Sequence, residues 1–366
     1  VRIVVAPDSF GGTLTAARAA AAIADGWRRG RPEDRVDVRP MSDGGEGFVG
    51  VVARPDDEVV VTEVAGPRGH PVEARWLLRD DTAWVEAALA NGLALLAPDE
   101  RDPLVTTSHG VGELVAAARA RGVARVMLGL GGSATVDGGA GALTALGFAL
   151  RESDGSGLKV GGGELARIDS IAPTWVEPGW DEVEVVALAD VGVVLAEAAP
   201  VFGPQKGADN AAVATLARCL AHFAEVVERD LDVPGLASRP GTGAAGGLAF
   251  GLAAGLGATI RAGAPVVADA VGLDDALREA DLVVTGEGRV DATTATGKVV
   301  AEVATRAHTF AVPMAVVAGS GELPEGVDGE FSSPGGPPDD PDEAAGQVAD
   351  AAARLAERWG EPAGRG

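Results

Sequence analysis

Tyrosine is missing from all 366 residues, and aromatic side chains make up only 4%. Lysine is nearly missing too. Lys159, Lys206 and Lys298 are the only three, and the rest of the 30 Lys plus Arg are arginine. With 53 glycines beside these scarcities, a biased nucleotide composition accounts for both and excludes no function. It does make a lysine kept inside "VFGPQKGADN" informative. The single cysteine, Cys219, excludes an internal disulfide and any thiolate-rich metal site. Its surroundings, "ATLARCLAHFAEVV", predict a buried structural thiol on an apolar helix.

Long apolar runs are lacking as well. "GLAFGLAAGLGATI" extends over 14 residues, short of the roughly 18 that a membrane-spanning helix needs. "VRIVVAPDSF" has neither the basic nor the apolar region of a secretory leader. Positive charge is in deficit, with a net charge of −24. Such a chain is repelled by polynucleotides and anionic membranes. The expectation is a soluble, cytoplasmic protein with a small-molecule substrate, no nucleic acid or membrane partner, and a monomeric or homodimeric state. An anionic ligand would need positive groups concentrated at its own site.

What is present argues for a folded chain. Hydrophobic residues reach 46% and mean hydropathy is +0.16, enough for two domains or one large domain with an insertion. "RIVVAP", a helix to about Gly30 and "RVDVRPM" read as β-loop-α-β, the start of an open α/β sheet. "DEVVVTEVAG" reads as a third strand, and "HPVEARWLLRDDTAWVEAAL" as antiparallel hairpins. "VGELVAAARARG" is a helix closed by Gly122. "EVEVVALADV", "ADLVVTGEGRVD" and "VPMAVVAGSGE" are buried strands whose carboxyl ends run into polar loops, where open α/β sheets bind ligands.

Five stretches carry candidate chemistry. "APDSFGG" puts Asp8 and Ser9 after the first strand, as substrate contacts or as a helix cap. In "MSDGGEG", Asp43 and Glu46 bracket two glycines. Such a turn suits hydrated Mg²⁺, which takes one or two carboxylates plus water. "LGLGGSATVDGGAG" follows a buried strand. Its glycines let backbone amides around Gly131 and Gly132 approach a phosphate, and Ser133 and Thr135 add hydroxyls. No Lys-Ser/Thr pair follows, so it is not a P-loop, while its G-x-G-x-x-A spelling (Gly129 to Ala134) permits a dinucleotide reading. "PGTGAAGG" spells G-x-G-x-x-G from Gly241 to Gly246 without a buried strand before it, which favours a packing element. "TGEGRVD" places Glu287, Arg289 and Asp291 at a strand end, where an Arg could stabilise a transferring phosphoryl group and an Asp could accept a hydroxyl proton. His109, ahead of a helix in "TTSHGVGE", is the one histidine kept as a site candidate.

Taken in order, "APDSF", "SDGGEG", "LGLGGSATVDGGAG", "VFGPQKGA", "GAAGG" and "DLVVTGEGRVD" resemble the bacterial glycerate kinases of the first class, over residues 1 to about 320. The resemblance implies a discontinuous flavodoxin-like (Rossmann-like) domain, residues 1–63 and 265–366, with a second α/β domain, 64–264, inserted in it. It implies ATP-dependent, Mg²⁺-assisted phosphorylation of a hydroxyl of D-glycerate in the cleft between domains. Asp190, Lys206, Arg289, Asp291 and Lys298 would be catalytic, and Gly131, Gly132, Ser133 and Thr135 would hold ATP. Asp8, Ser9 and Glu46 would meet the substrate, and Asp43 with Asp190 would hold the metal. The chain departs from the family in reading "SFGG", with Gly11 where a lysine is usual, in the altered and shorter segment after Val191, and in lacking the Gln usual after Asp291. These departures leave two other readings: a divergent or inactive relative that acts on a related hydroxy acid or only binds ligand, and an NAD-dependent dehydrogenase.

Overall fold

The computed structural model describes residues 1–189, 192–290, 299–323, 328–333, 338 and 340–359. Two compact units form, one from residues 1–43, 50–52 and 264–366, the other from residues 44–49 and 53–263. The strands of the described residues begin with β1 (Arg2–Val5), β2 (Arg35–Val38), β3 (Glu58–Ala65), β4 (Pro71–Arg79), β5 (Thr82–Glu86) and β6 (Arg125–Gly129). They continue with β7 (Ala149–Glu152), β8 (Ile168–Ala172), β9 (Glu184–Leu188), β10 (Thr259–Arg261), β11 (Leu282–Val290), β12 (Met314–Gly321) and β13 (Asp328–Phe331).

The first unit is built on a parallel sheet in the order β13-β12-β11-β1-β2. Counted within the unit this is 2-1-3-4-5, an order shared by doubly wound flavodoxin-like sheets. Its central strands are near-continuous apolar runs: Ile3 to Val5, Leu282 to Val284 and Ala315 to Ala318 are fully buried. Parallel strands covered on both faces require that pattern. The helix Ala16–Gly30 starts where the Thr15 hydroxyl accepts the Arg18 N–H, and it packs along the helix Pro341–Arg358. Glycine makes that approach possible, because a Cβ on Gly26 would overlap the Ala349 carbonyl. Trp27 is fully buried on the same helix and donates its indole N–H to Asp34 at 3.0 Å.

The second unit holds a mixed sheet in the order β10-β9-β6-β5-β4-β3. β3, β4 and β5 form the antiparallel part, and β5, β6, β9 and β10 the parallel part. β3 pairs along its whole length with β4, so "DEVVVTEVAG" is the edge of this sheet. β7 and β8 make a separate antiparallel pair. The core gathers Trp76, Leu128, Phe223 and Phe250. Cys219 is buried on the helix Asn210–Asp230, and burial pushes its thiol up. The fold class is therefore α/β with parallel-dominated sheets. No helix of the described residues is long and apolar enough to cross a membrane.

Candidate functional site

In the second unit, β6 delivers the chain into the glycine-rich loop through the buried run Val126, Met127 and Leu128. There the Gly131 N–H donates to the Gly44 carbonyl at 3.2 Å. A Cβ on Gly131 would overlap the Cα of Gly45, so the two main chains touch. Gly44 lies at φ 92°, and a side chain there would meet Leu188 at 3.0 Å. "SDGGEG" and "LGLGGSAT", far apart in sequence, thus pack backbone on backbone.

Three of the loop's carbonyls are tied down. The Gly132 oxygen accepts the Leu93 N–H at 2.8 Å. The Ala134 oxygen accepts the Thr106 hydroxyl at 3.0 Å, and the Thr135 oxygen accepts Lys206 Nζ at 2.8 Å. Lys206 Nζ also donates to Ser133 Oγ at 2.9 Å, and Asn91 Nδ2 donates to Thr135 Oγ1 at 3.2 Å. The N–H groups of Gly132 and Ser133, by contrast, find no acceptor among the described residues. Gly132 is exposed at φ 75°. Fixed carbonyls beside adjacent unpaired amides are what a backbone anion cradle consists of.

Lys206 is 3% exposed. Burial pushes its ammonium down to about 7, and the nearby charge of Asp137 pulls it back up. Its donors meet the loop itself. Asp137, inside the loop motif but not singled out there, is 1% exposed. One of its oxygens accepts the Ser108 N–H and hydroxyl, both at 2.8 Å, and the Gly141 N–H at 3.2 Å. The other accepts the Gly139 N–H at 3.1 Å. "GAAGG" packs behind the loop, since a Cβ on Gly246 would overlap the Thr135 carbonyl.

Glu86 is another residue the sequence reading passed over. It ends the buried run of β5 at 3% exposure and accepts the N–H groups of Gly47 at 2.9 Å and Val49 at 3.2 Å. Burial pushes its carboxyl up, and these two amides oppose that shift. A charge closing an apolar strand is costly unless paired, and that is the sequence signal that points to it. Glu46 sits on the same turn, exposed.

In the first unit a cavity of about 500 Å³ is lined by Asp8, Ser9, Asp43, Glu287 and Arg289. It opens at the carboxyl ends of β1, β11 and β12, beside the β1–β11 step where the strand order reverses. Asp8 accepts the Ser9 N–H at 2.6 Å. Its carboxyl is pushed up to about 7, by burial first and then by the negative charges of Asp43 and Glu287. Gly11 lines the same cavity at φ 51°, with open space where a side chain would stand.

The structure therefore groups Asp8, Ser9, Asp43 and Arg289 in one unit, and Gly131, Gly132, Ser133, Thr135 and Lys206 in the other. Asp190, Asp291 and Lys298 lie outside the described residues. His109 pairs with Glu113 at 3.6 Å on its own helix. Among the described residues no three His, Cys, Asp or Glu side chains assemble as a metal site. The oxygen donors that would suit Mg²⁺ are the carboxylates of the first unit, where a divalent cation would offset the negative charges of Asp43 and Glu287 that add to burial in raising Asp8.

A parallel α/β sheet with carboxylates at its carboxyl edge, together with a tethered glycine-rich loop, has the makings of a phosphotransferase. The chain belongs to the glycerate kinase family, which it matches over residues 3–355. It is 41% identical over 342 residues to the glycerate kinase of Halalkalibacterium halodurans, covering 90% of each chain. It is 39% identical over 326 residues to the glycerate 2-kinase of Escherichia coli K12, covering 87% of this chain and 85% of that one. A crystal structure assigned to glycerate kinase 2 of Salmonella typhimurium LT2 superposes with a TM-score of 0.81 at 37% identity, covering 97% of both chains.

Proposed function

We propose that this chain is an ATP-dependent kinase that transfers a phosphoryl group to a hydroxyl of D-glycerate. The observation that carries the reading is the loop from Gly131 to Thr135, in which the Gly132, Ala134 and Thr135 carbonyls are hydrogen-bonded while the Gly132 and Ser133 amides have no acceptor among the described residues. Phosphoryl transfer asks for positioning and charge stabilisation, with little covalent work by the protein. In this reading the loop amides hold ATP phosphates. Arg289 meets the substrate carboxylate or the transferred phosphoryl group. Asp8, with Ser9 fixed beside it, orients the attacking hydroxyl, whose proton goes to Asp8 or to Asp291. Asp291, Lys298 and Asp190 keep the roles of hydroxyl acceptor, phosphate cation and metal ligand as part of the same proposal, and Glu46 that of a substrate contact.

Asp43, with Asp190, is the proposed Mg²⁺ holder. A bound Mg²⁺ would supply charge neutralisation across the phosphate oxygens. The carboxylate crowding at Asp8, Asp43 and Glu287 supports a cation at this edge. A coupled ADP-release assay across D-glycerate, L-glycerate and other 2-hydroxy acids tests the proposal. Turnover with D-glycerate is expected. ATP binding without turnover of any acid would overturn it in favour of a ligand-binding relative, and NADH-linked turnover without ATP in favour of a dehydrogenase.

A further inference from the structure

Lys206 donates to Ser133 Oγ at 2.9 Å and to the Thr135 carbonyl at 2.8 Å, and only 3% of it is exposed. The side chain therefore reaches the loop from its inner side. Both bonds fall on residues that flank the tethered Ala134 and follow the unpaired Gly132 and Ser133 amides. The Phe202 ring stands 5.7 Å from Nζ. On the next residue, a side chain at Gly207 would overlap the Arg101 carbonyl, so the main chain that follows the Pro204–Lys206 turn packs directly on Arg101. The charged groups facing Lys206 are few. Asp137 is the carboxylate whose charge it senses, and Arg101 packs its main chain against Gly207.

We propose that Lys206 is a positioning residue: it holds the Ser133 hydroxyl and the Thr135 carbonyl inward, keeps the loop's amides turned to nucleotide phosphate, and delivers its charge through the loop without touching the substrate. This rests on the reading of the loop as a phosphate cradle. It differs from the expectation that Lys206 neutralises phosphate by direct contact. A lysine that touched the transferred phosphoryl group would be needed in the transition state and would show in kcat. One that shapes the loop sets nucleotide affinity. Because the ammonium is held down to about 7 in the unliganded protein by burial, an anion in the cradle should draw a proton onto it.

Three variants separate the outcomes. Lys206→Met fills the same space without charge and should fold. It should raise the KM for ATP by about tenfold or more, the range expected when charge-assisted hydrogen bonds are lost, with kcat changed less than about threefold. Isothermal titration of ATP into wild type near pH 8, in two buffers of different ionisation enthalpy, should show proton uptake that Lys206→Met lacks. Lys206→Arg should not rescue, because a planar guanidinium cannot reproduce both bonds in this space. A large kcat loss in Lys206→Met at unchanged KM would overturn the proposal in favour of direct contact. Unchanged KM, kcat and proton uptake in folded Lys206→Met would also overturn it. Gly132→Ala, which strains the loop at φ 75°, tests the underlying reading. If it weakens ATP binding and Lys206→Met does not, the positioning role alone falls. If neither changes ATP binding, the cradle reading itself falls.

Discussion

The Lys206 ammonium and the Thr135 carbonyl oxygen are 2.8 Å apart in the interior of the second unit. A charge is thereby buried on behalf of a loop, and its cost should be visible in the pH dependence of stability. The ordinary lysine value of 10.5 falls to about 7 here. Between those limits the unfolded chain holds a proton that the folded protein has lost. Stability should therefore rise with pH across this window, by at most about 1.4 kcal/mol per pH unit. Denaturant unfolding at pH 7 and pH 10 should show this gain in wild type and not in Lys206→Met. Equal slopes would mean that Lys206 keeps its charge when folded.

Asp8 has the opposite sign. Its folded value of about 7 lies above the ordinary carboxylate value near 4, so the folded protein keeps a proton that the unfolded chain loses first. The stability it contributes falls as pH rises through that window and is gone above it. Metal-free Asp8→Asn should be more stable than wild type at pH 8, by on the order of 1–3 kcal/mol, with the difference closing near pH 4. Its kcat should fall by about a hundredfold or more if Asp8 orients the hydroxyl. A variant that is stabilised and fully active would remove Asp8 from the reaction.

Crowded carboxylates also predict a response to cation. Mg²⁺ added to the metal-free protein at pH 8 should raise Tm by a few degrees, through binding to the folded state only. The rise should shrink at pH 5.5, where Asp8 is protonated. Asp43→Asn should reduce it at both values. Calorimetric melting curves read this without any turnover.

Glu86 makes a structural prediction at the "SDGGEG" turn. Gln at position 86 keeps one acceptor oxygen and must leave the Gly47 or the Val49 amide unpaired. A loss of about 1–3 kcal/mol follows from one unsatisfied buried donor. Since the Gly44 carbonyl of this turn accepts the Gly131 N–H, a raised KM for ATP should accompany the loss. An unaffected KM would show that the turn and the loop are energetically separate.

Much of this was legible in the chain. The buried parallel strands announce themselves as apolar runs, and glycine clusters mark the loops because no other residue lets main chains touch as Gly131 and Gly45 do. Lys206 stood out against an arginine-rich background. Its working contact did not, since the Thr135 carbonyl is a main-chain atom with no sequence signature. Asp137 lay unmarked inside the loop motif: two of its four hydrogen bonds come from the nearby Gly139 and Gly141, and the other two from Ser108, just ahead of the helix that begins at His109. Glu86 did not stand out within its hairpin, because burial at a strand end is decided by what packs over it.

The pairing of β1 with β11 has a consequence for how the protein is made. Ile3 waits for Leu282, so the first strand stays without that neighbour while some 280 further residues are translated. At ordinary synthesis rates this interval is roughly 15–60 s. The second unit, nearly contiguous in sequence, can complete its sheet during that wait. The apolar segment "RIVVA" meanwhile remains an open edge, the exposure that invites off-pathway association. Chaperone demand during synthesis should therefore concentrate on the amino-terminal residues, and a circular permutant that brings β1 next to β11 in sequence should fold with less of it.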